Sequence, residues 1–250
     1  MNAWKWRPFT VALAFAGLAA VPGSALGDSF GPEQRHEIES IIKDYLVKNP
    51  DVLLDALQAA EDKVKSDAHD KASAALVGRR RELLDDPASP VAGNPRGDVS
   101  LVEFFDYRCP YCKQVEPALG KLVADDRRLR FVYKEFPVLG PVSEVAARAA
   151  LAARQQSKYE AFHRAMMNAP GHFDETVIYK VAATVGLDIE RLKQDMKSPE
   201  VDKELKTNLD LGSDLDLSGT PSFIVGDTIV PGAITAEELR QLIATARGKL

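Results

Sequence analysis

The sequence predicts an α/β domain preceded by an α-helical arm, and three observations carry that expectation. Both cysteines of the 250-residue chain, Cys109 and Cys112, lie in one Cys-x-x-Cys between a strand-like run and a helix-like run. Further strand-like runs flank a long stretch whose apolar residues recur at helical spacing. Residues 28–86, ahead of all of this, read as helices broken once at Asn49-Pro50. Composition agrees. A hydrophobic content of 45% suffices for one good-sized core plus an appendage, and a net charge of -5 argues against nucleic acid as a partner.

Taken in order, the first residues read as an export signal. Lys5 and Arg7 form a basic start, and Phe9 to Val21 is apolar but short for a bilayer. Ala25 and Gly27 put small residues before a cut ahead of Asp28. Residues 1–27 are expected to be a cleavable signal peptide, and an uncleaved N-terminal anchor is the competing reading. Export implies an oxidising compartment, a bacterial periplasm, where disulfides persist.

Residues 28–86 form the expected arm. Pro32 suits a first helical turn, and Ile38, Ile41, Ile42, Tyr45 and Leu46 share one apolar face. Asn49 is expected to cap a new helix that starts at Pro50. Val52, Leu53, Ala56, Leu57 and Ala60 continue the stripe, and Val64 to Leu76 extend it in a weaker, alanine-rich form. Such a face must be buried, either on its own domain or on the same helix of another subunit. The second choice is expected, a homo-oligomer through residues 28–78, because the following domain reads as complete. Heptad regularity is poor, so the pattern does not choose between dimer and trimer. Arg79 to Arg81 read as the solvated end of the long helix.

The catalytic domain is expected over 87–250. Pro90 to Pro95 reads as an edge strand and turn, Asp98 to Phe105 as the first central strand, and Leu129 to Glu135 as the next. Helical runs over 143–154, 159–167, 174–185, 189–196 and 200–211 follow, with Gly186 as a stop. They make up a helical insertion at about 141–212. Ser222–Val225 and Thr228–Val230 form a hairpin around Gly226-Asp227. Thr235 and Glu238 make a capping box for a final helix.

The Cys-x-x-Cys carries the chemistry. At the start of a helix, unpaired backbone N–H groups and the helix dipole favour a negative sulfur. The thiolate is the nucleophile in disulfide exchange, so Cys109 is the attacking group, with Pro110 in the first turn. Cys112, one turn further in, is the shielded partner that closes the ring. Other uses of the pair compete. A structural zinc site needs four ligands, and His36, His69, His163 and His172 are not spaced to complete one. A structural disulfide in so tight a ring restrains little of the unfolded chain. Two thiolates suit Cu(I), although the four methionines do not cluster beside them.

This motif, together with Gly219-Thr220-Pro221-Ser222-Phe223 and the following Ile224-Val225-Gly226, resembles the active site of the DsbA-like branch of the thioredoxin superfamily. The similarity runs from about Pro90 to the C-terminus. With its arm, the whole chain is most similar to the suppressor-of-copper-sensitivity C type. The resemblance implies a thioredoxin fold with a helical insertion, in which Pro221 is cis and packs beside the Cys-x-x-Cys. It implies that Thr220 presents its backbone to a substrate strand. Threonine at this place goes with isomerases and reductases in the resembled group.

Glu103 matches an acid that exchanges a proton with the resolving cysteine in that family. Alternation along the strand leaves open which face Glu103 takes. Lys134 and Glu135 are candidates for further buried charge, and His163 reads as a helix-packing histidine. Pro110 and Tyr111 tune the motif, and without the Pro-His pair of the strongly oxidising archetype a less oxidising couple is expected. No cofactor is expected beyond the redox-active Cys109–Cys112 pair. The resulting expectation is an exported thiol-disulfide oxidoreductase, a disulfide isomerase or reductase acting on unfolded or misoxidised exported proteins. A membrane thiol reductase would supply its electrons. A dithiol oxidase and a Cu(I)-handling protein are the alternatives.

Overall fold

The computed structural model describes residues 30–169 and 173–248, so the expected signal segment 1–27 lies outside the described residues. Packing divides the chain into two units that meet inside one helix, the first ending at Ala60 and the second beginning at Glu61.

The first unit contains α1 (Pro32–Lys48) and the start of α2 (Pro50–Gly78). Glu33 in the first turn of α1 and Lys48 in its last turn complement the helix dipole. The Gly31 N–H donates to Gln34 Oε1 at 2.9 Å. Asn49 separates the helices as expected. Its backbone N–H and its side-chain amide both donate to the Tyr45 carbonyl, at 2.9 and 2.8 Å, which closes the end of α1. No described residue of α1 is buried. Ile41, Ile42, Tyr45, Leu53, Leu54 and Leu57 are all exposed.

The second unit is built on a five-stranded sheet of order β1-β3-β2-β4-β5. Its strands are β1 (Val91–Gly93), β2 (Val99–Phe105), β3 (Leu129–Glu135), β4 (Ser222–Val225) and β5 (Thr228–Pro231). β2 and β3 are parallel and joined by α4 (Pro110–Asp125). β4 runs antiparallel to β2, with Glu103 opposite Phe223 and Phe104 opposite Ser222. Between β3 and β4 the chain makes the helical insertion. It comprises α5 (Pro141–Ala153), a short 3-10 turn, α6 (Tyr159–Met167), α7 (Glu175–Thr184), α8 (Ile189–Asp195) and α9 (Pro199–Asp214). Asp174 caps α7 by accepting from the Val177 N–H at 2.9 Å, and Gly186 ends it at φ +74°. The Thr235–Glu238 capping box starts α10 (Ala236–Gly248) with reciprocal bonds of 3.2 and 2.9 Å.

Both faces of the sheet are covered. Leu101 and Phe105 of β2, with Phe131, Tyr133, Phe223 and Val225, pack in the core that α4, α5, α6 and α10 close. Val102, Phe104, Val132 and Ile224 point the other way. That second face is closed by Leu76 of α2, by Leu83 of α3 (Arg80–Leu84) and by Leu211 and Leu215 around the end of α9. From residue 61 onward, the helical segment expected as an arm up to residue 86 thus falls in the second unit. The physical reason is exposure: without Leu76 and Leu83, the apolar side chains on this face of β2 and β3 would be left partly open to water.

Lys134 lies on this second face. Its Nζ donates to the Glu82 carbonyl at 2.8 Å and to Ser89 Oγ at 2.6 Å, and Ser89 donates to Glu204 Oε1 at 2.9 Å. The buried ammonium is therefore satisfied. Burial still pushes the pKa of Lys134 down, and burial raises that of Glu204.

A Cβ at Gly212 in α9 would run into the buried ring of Phe136. Gly212→Ala should therefore destabilise the protein by about 1–3 kcal/mol from overpacking, although alanine favours helix by about 1 kcal/mol. A urea midpoint lowered at constant slope checks this; an unchanged or raised midpoint contradicts it.

Candidate active site

The site begins where β2 ends. Asp106 shapes the turn: its Oδ1 accepts from the Arg108 N–H at 2.8 Å and its Oδ2 from the Leu139 N–H at 3.0 Å. Its carbonyl accepts from the Cys109 N–H at 3.0 Å. These bonds fix Cys109 as the N-cap of α4 at φ -74°, ψ 118°, with Pro110 in the first turn, where a missing N–H costs little. No acidic residue occupies that turn to compete with an anionic sulfur for the helix dipole.

The second half of the site comes from the loop before β4. The Thr220-Pro221 peptide bond is cis. The Cys109 thiol lies 3.1 Å from the Thr220 carbonyl and donates to it. The Pro221 carbonyl accepts from the Gly232 N–H at 2.8 Å, and Ser222 Oγ donates to the Gly219 carbonyl at 2.8 Å, which hold this loop in place. Both cysteines are free thiols. Cys109 keeps 4% of its surface exposed and Cys112 none. Burial pushes the Cys112 thiol far up, and the Glu103 carboxyl adds to the effect, whereas the hydrogen bond with the Asp106 backbone opposes it. One sulfur thus sits at the helix end with a small exposed edge, and its partner, fully enclosed, is held protonated behind it. Tyr111 beside them is exposed, as are Val138 and Leu139 on the β3–α5 loop.

Glu103 shares the β2 face of Leu101 and Phe105, the face packed on α4, which answers the orientation that alternation left open. It is fully buried, and neither carboxyl oxygen has a hydrogen-bond partner among the described residues. Burial holds its pKa well above the ordinary 4.5, and Glu116, Cys109 and Glu135 push in the same direction. Glu135 also faces this core and accepts from Tyr107 Oη at 3.0 Å and from Tyr159 Oη at 2.9 Å. Its pKa is likewise raised by burial, with the two tyrosines opposing. Lys134, the other candidate for buried charge, is on the opposite face of the sheet and does not join this group.

Three residues of the site were not read from the sequence. Asp106 and Tyr107 carried no signal beyond following the strand. Glu116 did carry one. It lies on the apolar stripe of α4 formed by Cys112, Val115, Leu119 and Leu122, where a carboxylate needs a reason.

Because the Glu103 carboxyl is more basic folded than unfolded, the folded state binds the extra proton. Stability contributed by that proton is present at low pH and falls as pH rises above about 4.5, by about 1.4 kcal/mol per pH unit until the carboxyl ionises. Glu103→Gln should therefore raise the melting temperature at pH 7 and leave it unchanged below pH 4.5. Chemical or thermal melts across pH check this; a variant no more stable at pH 7 than the parent contradicts it.

Comparison with known proteins agrees with this geometry. The family described as "DSBA-like thioredoxin domain" matches residues 100–244, and "Copper resistance protein ScsC N-terminal domain" matches residues 34–65. A thioredoxin-like oxidoreductase from Silicibacter pomeroyi is 48% identical with a TM-score of 0.67, covering 68% of this chain and 98% of that one. Proteus mirabilis ScsC in a transitional conformation is 29% identical with a TM-score of 0.65, covering 89% of this chain and 99% of that one. The Na(+)/H(+) antiporter NhaA 1 of Salinispora arenicola is 30% identical over 181 residues, which are 69% of this chain. This chain spans only 28% of that relative's length, and no helix among the described residues is long and apolar enough to cross a membrane.

Proposed function

We infer the function from a premise: the chain belongs to the family of DSBA-like thioredoxin domains, as a thiol-disulfide oxidoreductase with a Cys109–Cys112 pair. Within that family we propose a disulfide isomerase or reductase of misoxidised exported proteins, working in the periplasm after removal of residues 1–27 and assembled as a homo-oligomer through residues 28–78. The observation that carries the reading is a pair of unequally buried thiols beside Pro221, Cys109 at the helix end with 4% of its surface exposed and Cys112 with none, on a chain whose ScsC-type N-terminal segment leaves the apolar residues of α1 and of the start of α2 uncovered.

In this reading the Cys109 thiolate attacks a client disulfide. A bond forms between Cys109 and one client sulfur, and the other client sulfur leaves with the electron pair. The freed client thiolate then attacks a different client disulfide, and the client thiolate released there attacks the client sulfur bound to Cys109, which forms a new client disulfide, returns the electron pair to Cys109 and leaves the client isomerised. Alternatively, Cys112 attacks the Cys109 sulfur, which releases a reduced client and leaves the Cys109–Cys112 disulfide for a membrane thiol reductase to reset. Glu103 takes the Cys112 proton in that step. Thr220 pairs with the client backbone beside Pro221. Pro110 and Tyr111, in place of a Pro-His pair, leave the Cys109 thiolate less stabilised and the couple less oxidising. Several sites facing one client raise the effective thiol concentration, which is why isomerisation gains from the arm.

The test is reactivation of a scrambled multi-disulfide protein by the reduced protein. Reactivation should fall to background in Cys109→Ser. In the full chain, Tyr45→Asp with Leu53→Asp should reduce the oligomer to a monomer. It should also lower reactivation about tenfold or more while leaving reduction of a small disulfide unchanged. Efficient oxidation of a reduced client without any reactivation would move the assignment to a dithiol oxidase. A full-strength monomer would remove the arm from the mechanism.

A further inference from the structure

Arg108 stands directly before the attacking cysteine, and the exchange steps above give it no task. It is exposed, yet its charged end is held in place. Nη1 donates to the Leu139 carbonyl on the loop between β3 and α5. A Cβ on Gly140 would lie 3.5 Å from the same nitrogen, so the guanidinium rests against that glycine.

Leu139 joins this loop to the redox turn at both of its backbone polar groups. Its N–H donates to Asp106 Oδ2 at 3.0 Å, and its carbonyl accepts from Arg108. Asp106 accepts the Arg108 N–H on Oδ1 at 2.8 Å, and its carbonyl accepts the Cys109 N–H at 3.0 Å. Turn, loop and side chain thus close a ring next to the nucleophile. A tether of this kind removes part of the rotamer freedom of arginine before a client arrives, which lowers the cost of binding through it.

The donors that the tether leaves over decide what Arg108 can do. A guanidinium carries five N–H donors in a planar fork. With Nη1 engaged, the Nε–Nη2 edge has no partner among the described residues. That edge fits a carboxylate, whose two oxygens accept two parallel N–H bonds. Asp106 does not fill it, because its carboxylate is buried and both oxygens accept backbone N–H groups. Lys113, the next cation along the motif, points inward to the Met166 and Met167 carbonyls at 2.9 and 3.3 Å. The exposed neighbours Tyr111, Val138 and Leu139 carry no charge. Arg108 is therefore the cation that a client meets beside Cys109.

We propose that Arg108 is a specificity-determining residue of the exchange reaction, selecting client disulfides flanked by acidic side chains. This rests on the exchange reading above. The client carboxylate binds the Nε–Nη2 edge and brings the neighbouring disulfide to Cys109. The Cys109 thiolate forms a bond to the near client sulfur, and the far client sulfur leaves with the electron pair of the broken bond. Arg108 holds the client and changes no bond itself. A basic side chain beside the client cysteine meets like charge instead. At about 4 Å in water one charge pair is worth about fivefold in rate, and salt screens it.

The test measures the second-order rate at which the reduced full chain attacks three disulfide-linked peptide dimers at pH 7, with the cysteine flanked by Glu, Gln or Lys. Each rate is divided by that of β-mercaptoethanol with the same peptide, which removes the effect of the flanking charge on the disulfide itself. The parent should favour the Glu peptide over the Lys peptide about tenfold at low ionic strength, and only about twofold in about 0.5 M salt. Arg108→Gln should bring that ratio to about one, and Arg108→Glu should invert it. Arg108→Lys should keep about threefold, since a point charge lacks the fork. Each protein serves as its own reference, so a change in Cys109 reactivity cancels from the ratio.

A parent with equal normalised rates on all three peptides would overturn the proposal, as would a ratio that survives Arg108→Gln. A full ratio in Arg108→Lys would overturn the bidentate contact. If the variants do not fold, the ratio of the parent and its dependence on salt decide alone. A parent that attacks none of the three peptides would overturn the exchange reading itself, a result distinct from the loss of a preference among them.

Discussion

A thiol facing a carbonyl across 111 residues of chain, Cys109 to Thr220 at 3.1 Å, is the contact on which the rest of the site depends. Neither segment reaches it alone. Asp106 turns the chain so that Cys109 caps α4, and the pairing of β2 with β4 brings the cis Thr220-Pro221 bond alongside. The helical insertion intervenes between these segments in sequence but leaves the sheet intact. β4 still lies beside β2, and the insertion contributes packing residues, among them His163, to one face.

The core behind the motif carries more acid than stability favours. Glu103, Glu116 and Glu135 are all buried around Cys112 and His163. An apolar set of similar size would fold at least as well, since an unpartnered buried carboxyl is a liability at neutral pH. The opposite face offers a contrast. Lys134, Ser89 and Glu204 complete one another's hydrogen bonds there and hold α3 and α9 to the sheet.

Much of this was legible in the sequence. The Cys-x-x-Cys, the Thr220-Pro221 turn and the helical periodicity of the insertion each have a local physical cause, and each element formed close to its expected limits. What was not legible depended on packing at a distance. β2 is buried on both faces, so alternation could not assign Glu103 to either. The alanine-rich end of α2 shows little periodicity, yet Ala72 and Leu76 are buried and the helix closes the second face of the sheet. His163 was read as packing because nothing near it in sequence names Tyr107 or Glu116 as its partners.

The central claim is the inequality of the two sulfurs, one at the helix end with a small exposed edge, the other fully enclosed and held protonated. Its most direct test is brief alkylation of the reduced protein with iodoacetamide at neutral pH, followed by mapping of the labelled cysteine. The account predicts label on Cys109 with Cys112 left as a thiol. Label shared equally between the two, or found first on Cys112, would contradict it.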